Sequence, residues 1–311
     1  MHDNLMSPVM WALVAVYALL VFASLLVGFL RRRGQGDHTE LGQRIRSWWI
    51  MVGVFSVAIL VNRTVSIVFL ALVAFLAFKE YLAMVTTRRA DRRVVFWAFL
   101  AIPVQFYWVA IGWYGMFIVF IPVFMFLLLP ARMVLIGDTK GFLKAVGTLH
   151  WGLMTTVFSI SHAAYLLVLP AAVNPHAGGA GLLFFLIFLT QFNDVAQFTW
   201  GKLFGRTKIA PNLSPSKTVE GFVGGALSAT ALGAALSWLT PFGVAGAAAL
   251  SFVIVLMGFF GGLVMSAIKR DRGVKDWGHM IAGHGGFIDR LDSVVFSAPV
   301  FFHLVRFFWS A

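Results

Sequence analysis

The sequence predicts an all-α, polytopic integral membrane protein with about nine or ten transmembrane helices. Hydrophobic residues make up 60% of the 311-residue chain, and its mean hydropathy is +0.89, whereas roughly half of the residues of a soluble domain are apolar. Long apolar segments recur from one end of the chain to the other, separated by short stretches of charged or turn-forming residues. An apolar segment of about 20 residues can cross the bilayer as a helix.

The apolar segments give ten candidate spans. The first begins at Val9 with no basic residue before it, so we expect a retained helix of about 22 residues and not a cleaved signal. The second is shorter than the roughly 20 residues that a crossing helix needs, and weak turn signals at 62–64 and 112–113 divide the third to the fifth. In order, the spans are 9–30, 48–61, 65–85, 94–111, 113–130, 148–169, 180–199, 220–239, 244–267 and 291–309.

The basic residues favour the count of ten. When alternate loops are assigned to opposite sides of the membrane, 22 of the 24 Lys and Arg residues lie on one side, and only Arg63 and Arg306 lie on the other. Cytoplasmic loops carry an excess of Lys and Arg. This side is therefore predicted to face the cytoplasm, with both chain termini on the opposite side.

Composition also limits the chemistry. The chain has no Cys, which excludes disulfides, thiolate catalysis and Cys-based metal sites. A metal would have to be held by oxygen ligands or His, as suits a hard cation such as Mg²⁺. The net charge of +12 does not indicate nucleic-acid binding, because the basic residues form short blocks between apolar segments, as membrane topology requires.

No internal repeat, low-complexity tract or separate soluble domain is apparent. We expect N-terminal transmembrane helices over 1–147, with about five spans, and a C-terminal transmembrane region over 148–311 that carries the chemistry. The chemistry is expected at the cytoplasmic ends of the C-terminal helices, where the two charged stretches described next are predicted to lie.

The first charged stretch reads SPSKTVEG from Ser214 to Gly221, at the expected start of a span. Ser or Thr at the N-cap, Pro at the first helical position and Glu in the first turn are ordinary helix-capping residues. Capping does not explain Lys217 in the first turn, where the helix dipole disfavours a cation unless an anion is bound. Ser214, Lys217 and Thr218 are thus predicted to seat a phosphate, with simple capping as the alternative.

The second charged stretch, 266–292, contains five Lys or Arg, four Asp, two His and five Gly residues. Its cations alone, among them Lys269, Arg270 and Lys275, are typical of an anchor at the cytoplasmic surface. The Asp residues would weaken such an anchor, and carboxylates interleaved with cations suit a metal–polyphosphate complex instead. Asp289 and Asp292 are three residues apart, so on a helix both carboxylates would face one metal.

Two further features accompany these stretches. The sequence His284-Gly285-Gly286 provides flexible backbone whose N–H groups can approach a phosphate, although a lone His is more often structural than catalytic. Asp194 lies near the inner end of an apolar span, where an acidic residue costs a few kcal/mol and indicates a functional site. The alternative for Asp194 is a structural hydrogen bond with Asn193 or Gln197.

These residues resemble the signature of the phosphatidate cytidylyltransferase (CDP-diacylglycerol synthase) family. The matching pattern is S-x-I-K-R-x4-K-D-x-G-x2-I-x2-H-G-G-F-x-D-R-L-D over 266–292. SPSKTVEG resembles the family's Ser-Pro-Lys-Lys-Thr-x-Glu-Gly element, and Asp194 falls where the family has an acidic residue before a Gly-rich segment. The resemblance is sharp over about 190–292 and only hydropathic before that. Ala282 replaces the usual Pro, and Ser216 replaces the first Lys of the pair.

The resemblance implies transfer of a cytidylyl group in phospholipid biosynthesis. A phosphate oxygen of phosphatidate would attack the α-phosphorus of CTP, releasing pyrophosphate and leaving CDP-diacylglycerol. The implied partners are CTP, phosphatidate or a similar lipid phosphate, and the bilayer, without nucleic acid; formation of a homodimer is left open. The implied location is the cell's inner membrane, as a multi-pass protein with the active site facing the cytoplasm.

The resemblance also implies Mg²⁺ as cofactor, with room for a second, monovalent cation. Nucleotidyl transfer asks a protein mainly to position two anions and to stabilise their charge. The implied metal ligands are Asp194, Asp276, Asp289 and Asp292. The implied catalytic residues are Lys217, Lys275, Asp276 and Asp289. The implied substrate-binding residues are Ser214, Thr218, Lys269, Arg270, His284, Gly285, Gly286 and Arg290.

The sequence is also compatible with three other functions. A related cytidylyl or phosphoryl transferase could act on another lipid-linked alcohol or phosphate, and the departure at Ser216 bears on this choice. An anion transporter could use Asp194 and the basic loops, but it would be expected to show broken helices in two matching halves. A scaffolding protein of lipid metabolism that has lost catalysis would use 266–292 only as an anchor.

Overall fold

The computed structural model describes residues 7–32, 39–85, 91–278 and 285–310. Most of these residues are helical, which confirms the all-α prediction. Within these described ranges, eight helices are long and apolar enough to cross a membrane, so the chain is a multi-pass membrane protein. These spans are Pro8–Leu30, Gly42–Val61, Arg63–Met84, Arg92–Ala110, Tyr114–Val134, Phe142–Val168, Gly178–Phe204 and Gly243–Asp271.

The helices occur at all ten predicted positions. In the first half of the chain they are α1 (Pro8–Arg32), α2 (Thr39–Val61), α3 (Arg63–Met84), α4 (Arg92–Ala110), α5 (Tyr114–Val119) and α6 (Phe126–Val134), with a π-helical segment at Phe120–Met125. In the second half they are α7 (Phe142–Gly152), α8 (Ser159–Tyr165), α9 (Gly178–Phe204), α10 (Val219–Ala235), α11 (Gly243–Asp271) and α12 (Asp292–Trp309), with a π-helical segment at Leu153–Phe158.

Three of the predicted spans differ from the helices observed. The prediction of a short second span at 48–61 is wrong, because α2 begins at Thr39 and is 23 residues long. The first turns of α2 are polar, so hydropathy alone predicts too late a start for this helix. The predicted spans 220–239 and 291–309 correspond to α10, of 17 residues, and α12, of 18 residues. Neither belongs to the eight helices that meet the length and hydropathy requirement.

Local chemistry explains the weak breaks between the early spans. The Asn62 side chain accepts a hydrogen bond from the Val65 backbone N–H at 2.8 Å and so caps α3. After α4 the chain reverses at Gly112, whose φ of +69° lies in the left-handed region that glycine tolerates best. Both breaks predicted from these residues are confirmed.

The buried centre of the bundle lies around α8. Every residue of α8 is buried, and α3, α4 and α12 pack against it. On the other side of α12, helices α9, α10 and α11 pack closely together. A Cβ at Gly221 would lie 2.8 Å from the Gln197 carbonyl oxygen, so α10 approaches α9 through small residues, as membrane helices commonly do. This packing brings the start of α12 against α9 and α11.

A short hairpin joins α9 to α10 and corrects the reading of SPSKTVEG as the start of a helix. Strand β1 (Lys208–Ala210) pairs antiparallel with β2 (Ser214–Thr218), with Lys208 opposite Thr218. The Thr218 side chain accepts from the Gly221 N–H at 3.1 Å and is the N-cap of α10. Lys217 therefore lies on a strand before the cap, and the prediction that it occupies the first helical turn is wrong.

Candidate active site

The candidate active site lies where the start of α12 meets α9, α11 and the Lys217 side chain of strand β2. The structure brings the predicted residues of these elements into two adjoining groups. One group contains Asp194, Lys217 and Asp292, and the other contains Lys269, Asp276 and Asp289.

Lys217 reaches from the hairpin into the helical bundle. Its Nζ lies 4.8 Å from the centroid of the Phe259 ring of α11, a favourable position for a cation. A Cβ at Gly262 would lie 2.7 Å from Nζ and 3.8 Å from Asp292 Oδ2, so the missing side chain of Gly262 makes room for the ammonium. Burial lowers the pKa of Lys217, and the nearby carboxylates of Asp194 and Asp292 oppose this shift.

Asp194 and Asp292 form a pair that Ser293 connects. The Ser293 hydroxyl lies 3.1 Å and 2.9 Å from the two carboxylate oxygens of Asp194, and the Ser293 backbone N–H donates to Asp292 Oδ1 at 2.8 Å. Gln197 instead donates to Asn193 at 3.0 Å, so these two amides bond to each other, and Asp194 accepts from Ser293. The pair places two carboxylates from different helices beside the Lys217 ammonium.

Asp289 is held by three donors from three segments. Lys269 Nζ lies 2.7 Å from Asp289 Oδ1, and the backbone N–H groups of Trp277 and Gly286 both donate to Oδ2 at 2.9 Å. The expectation that Asp289 and Asp292 share one helical face is wrong, because α12 begins at Asp292. Asp289 lies in a preceding 3₁₀ turn, Ile288–Arg290, and has different neighbours.

Asp276 lies next to Asp289 across Gly285. Gly285 has a φ of +82°, and a Cβ built there would lie 3.0 Å from Asp289 Oδ2 and 3.3 Å from Asp276 Cβ. The glycine therefore permits a close approach of two carboxylate residues that a larger residue would block. A second adjoining pair of acidic side chains results, with Lys269 as its cation.

Glu80 of α3 is a residue of the site that the sequence analysis missed. Its carboxylate accepts from the backbone N–H groups of Phe287 at 3.0 Å and Ile288 at 2.7 Å. A Cβ at Gly286 would lie 2.6 Å from Glu80 Oε1, so Glu80 fits closely against the loop that carries Asp289. An acidic residue within an apolar span is the same signal that identified Asp194, and it was available at Glu80.

The other predicted residues surround these two groups. Arg270 donates from Nε to the Leu213 carbonyl at 3.2 Å and ties α11 to the hairpin. Lys275 is exposed. The Arg290 carbonyl accepts from Gln191 at 3.0 Å. Ser214 is partly buried in β2, and Thr218 serves as the cap already described. His284 lies outside the described residues.

The carboxylates of the site suit a magnesium ion only in part. In the described part of the chain, no three acidic or His side chains cluster closely enough to hold a metal by themselves. Mg²⁺ is commonly held by one or two carboxylates, with water and substrate phosphates as the remaining ligands. Asp194 and Asp292 fit that requirement. Asp289 fits it less well, since three donors already occupy its two oxygens.

The fold and the site define a polytopic membrane protein in which partly buried lysines and carboxylates from several helices and a hairpin come together. The comparison with known families agrees with this class. The chain belongs to the cytidylyltransferase family, whose sequence profile matches residues 42–308. The predicted family resemblance is therefore confirmed.

Individual relatives differ in how much of the chain they cover. The uncharacterized protein YnbB of Escherichia coli is 41% identical over 298 residues, which are 95% of this chain and 98% of the relative. The phosphatidate cytidylyltransferase of Aquifex aeolicus is 43% identical over 121 residues, or 39% of this chain and 45% of the relative. That of Mycobacterium leprae is 42% identical over 130 residues, or 39% of each. The chain thus matches less than half the length of these two named enzymes.

Proposed function

We propose that the protein transfers the cytidylyl group of CTP to phosphatidate, giving CDP-diacylglycerol and pyrophosphate. The observation that carries this proposal is the convergence of Lys217 with the Asp194–Asp292 pair beside the Lys269–Asp289 pair. Cations and carboxylates of this kind, at the end of membrane helices, suit a reaction between a nucleotide and a lipid headgroup. Membership of the cytidylyltransferase family supports the reaction type.

The chain's own residues would act by positioning and by stabilising charge. A phosphate monoester has its second ionisation near about pH 6, so the lipid phosphate is a nucleophile at neutral pH without a general base. Its oxygen forms a bond to the α-phosphorus of CTP while the bond to the pyrophosphate oxygen breaks. Lys217 and Lys269 would stabilise the negative charge that moves to pyrophosphate. Arg270, Lys275 and Arg290 lie around them and are proposed to hold the outer phosphates.

The proposed cofactor is Mg²⁺, held by Asp194 and Asp292. When bound, the ion would supply charge neutralisation on the phosphate oxygens. The Ser293 hydroxyl orients the Asp194 carboxylate beside Asp292, and the Lys217 ammonium partly balances the charge of both acids. Asp276 and Asp289 are proposed as a second acidic pair facing the nucleotide. The second, monovalent cation stays a prediction.

The proposed location is the inner membrane of the cell, with the site facing the cytoplasm. The support is the distribution of basic residues, 22 of 24 on the side of the site, together with the cytoplasmic origin of CTP. The division at 147/148 and the homodimer also stay predictions.

A lipid phosphate other than phosphatidate is the second candidate substrate. Two observations favour it: Ser216 replaces a Lys of the family element, and the named phosphatidate enzymes match only 39% of this chain. Purified protein supplied with CTP and a panel of lipid phosphates would decide between the two, since the preferred lipid would give the highest kcat/KM.

The test is incorporation of radiolabelled CTP into lipid by the full chain in phospholipid nanodiscs, with Mg²⁺ or with a chelator. The variant is Lys217→Gln, and Lys208→Gln is a matched control, because Lys208 lies exposed on the partner strand of the same hairpin. Removal of one preorganised charge donor typically costs about 100-fold to 1,000-fold in rate. We expect that loss for Lys217→Gln alone. Equal activity of the two variants would refute the proposed site.

A further inference from the structure

A cavity lined by apolar residues and a few polar ones lies toward the opposite end of α12 from Asp292. It has a volume of about 800 Å³ and is formed by α12, Ser310 and Tyr114, within the range of cavities that bind small molecules. Its cation, Arg306, follows Asp292 by 14 residues, which is about 21 Å along a helix. The cavity is therefore separate from the candidate active site, and the proposed cytidylyl transfer makes no use of it.

Arg306 has no negative partner among the described side chains. Its guanidinium lies 3.7 Å from the centroid of the Tyr114 ring. Stacking engages the face of the guanidinium and leaves its N–H donors at the edge for an acceptor. Arg306 is also one of two basic residues that fall outside the basic side of the chain. An arginine near the end of a membrane helix either anchors the helix at the interface or binds an anion.

Two histidines distinguish this site from a simple anchor. His303 lines the cavity, and its ring centroid lies 5.2 Å from that of His162. His162 is fully buried, with Nδ1 2.7 Å from the Phe158 carbonyl oxygen. Nδ1 is thereby assigned as the donor, and Nε2 has no hydrogen-bond partner in the described part of the chain. Two imidazoles and a guanidinium are costly to place together in a membrane protein without a use.

The polar lining residues lie toward one end of the cavity. Pro299 and Val300, near the middle of α12, are apolar, whereas His303, Arg306 and Ser310 follow toward the end of the chain, with Leu304 and Phe307 between them. A ligand that fits this order has an anionic head and an apolar tail. The geometry points to a site for an anionic membrane phospholipid: its phosphate bonds to Arg306 and His303, and its acyl chain lies along Val300 and Leu304.

The experiment measures lipid binding by the purified full chain in detergent. Dioleoylphosphatidylglycerol, dioleoylphosphatidylcholine and inorganic phosphate are titrated separately, and binding is followed by thermal shift and by native mass spectrometry. Phosphatidylglycerol is chosen because it is not the proposed substrate. We expect it to bind more tightly than phosphatidylcholine, and inorganic phosphate to leave the Tm unchanged.

Arg306→Gln tests the site, and Arg63→Gln is the matched control, because Arg63 is exposed at the turn between α2 and α3. Loss of one charge-assisted hydrogen bond should weaken phosphatidylglycerol binding about tenfold in Arg306→Gln, with no change in Arg63→Gln. His303→Phe keeps an aromatic ring but removes its N–H, and it should also weaken phosphatidylglycerol binding. This variant tests the site independently, should Arg306→Gln fail to fold.

Three results would overturn the assignment. Equal affinity of wild type for the charged and the zwitterionic lipid would show that the cavity does not recognise an anion. Arg306-dependent binding of inorganic phosphate without binding of phosphatidylglycerol would assign the site to a free anion. A lower Tm of Arg306→Gln with unchanged affinity for phosphatidylglycerol would show that Arg306 only anchors the helix.

Discussion

Replacement of Glu80 with Gln should loosen the segment that carries Asp289. The carboxylate accepts two backbone hydrogen bonds, from Phe287 at 3.0 Å and Ile288 at 2.7 Å. A hydrogen bond to a charged group contributes about 1.5–3 kcal/mol. Gln keeps one acceptor oxygen but places an NH₂ group against the other N–H, so one bond is lost and the second loses its charge. We expect the free energy of local opening to fall by about 2–4 kcal/mol.

The assay is hydrogen exchange of a peptide containing Phe287 and Ile288, measured by mass spectrometry on the full chain in detergent. The expected change in opening free energy corresponds to an exchange rate about 30-fold to 1,000-fold faster. Activity should fall at least about tenfold, since small displacements of positioned groups cost about that much or more. Lys79→Gln is the matched control, because Lys79 is the exposed neighbour of Glu80 on α3. Unchanged exchange in Glu80→Gln, or the same increase in Lys79→Gln, would refute the assigned role of Glu80.

The remaining predictions concern the pair of acids and the lysine beside them. Gly262→Ala places a Cβ 2.7 Å from Lys217 Nζ, so kcat/KM should fall about tenfold or more, whereas Gly53→Ala, which meets nothing within 4 Å, should retain full activity. Ser293→Ala removes the hydroxyl that donates to Asp194; the Mg²⁺ concentration for half-maximal activity should rise about tenfold, and an unchanged Mg²⁺ dependence would contradict the proposed ligand pair. Because burial lowers the pKa of Lys217 from its ordinary 10.5, the active ammonium is lost as pH rises, and the alkaline limb of the kcat/KM profile should begin below the ordinary lysine range. Lys217→Arg, which stays charged, should remove that limb from whatever activity remains, and its persistence would assign the limb to another group.

The helices were predictable from the sequence because lipid offers no hydrogen-bond partners to the backbone. A chain segment in the hydrocarbon core must satisfy its own hydrogen bonds, so an apolar run such as that of α11 predicts a helix directly. The turn at Asn62 was predictable for a similar local reason, since its side chain caps the next helix. The additional helical turns at the start of α2 were not predicted because they consist of polar residues outside the apolar run.

The parts of the site that escaped prediction depend on distant residues. Strand β2 has no alternating apolar pattern and exists because β1 pairs with it. The separation of Asp289 from Asp292 follows from where α12 begins, and a motif spacing does not report this boundary. Glu80 contacts Phe287 across 207 residues of sequence, so its role was not visible from either stretch alone. The sequence nevertheless selected Asp194 from its position in an apolar span and Lys217, Lys269 and Asp289 from the charged stretches, and the structure brings these residues into two adjoining groups.

The contact of Glu80 with the loop before α12 limits how this protein can be divided or recombined. A C-terminal half grafted onto an unrelated membrane anchor would leave the Phe287 and Ile288 amides without an acceptor in a poorly hydrated setting, which is costly. A functional chimera would have to import α3, or supply a carboxylate at the same depth. The N-terminal helices are therefore required for the activity of the C-terminal helices. A chain split into two halves should regain activity only when both halves are present.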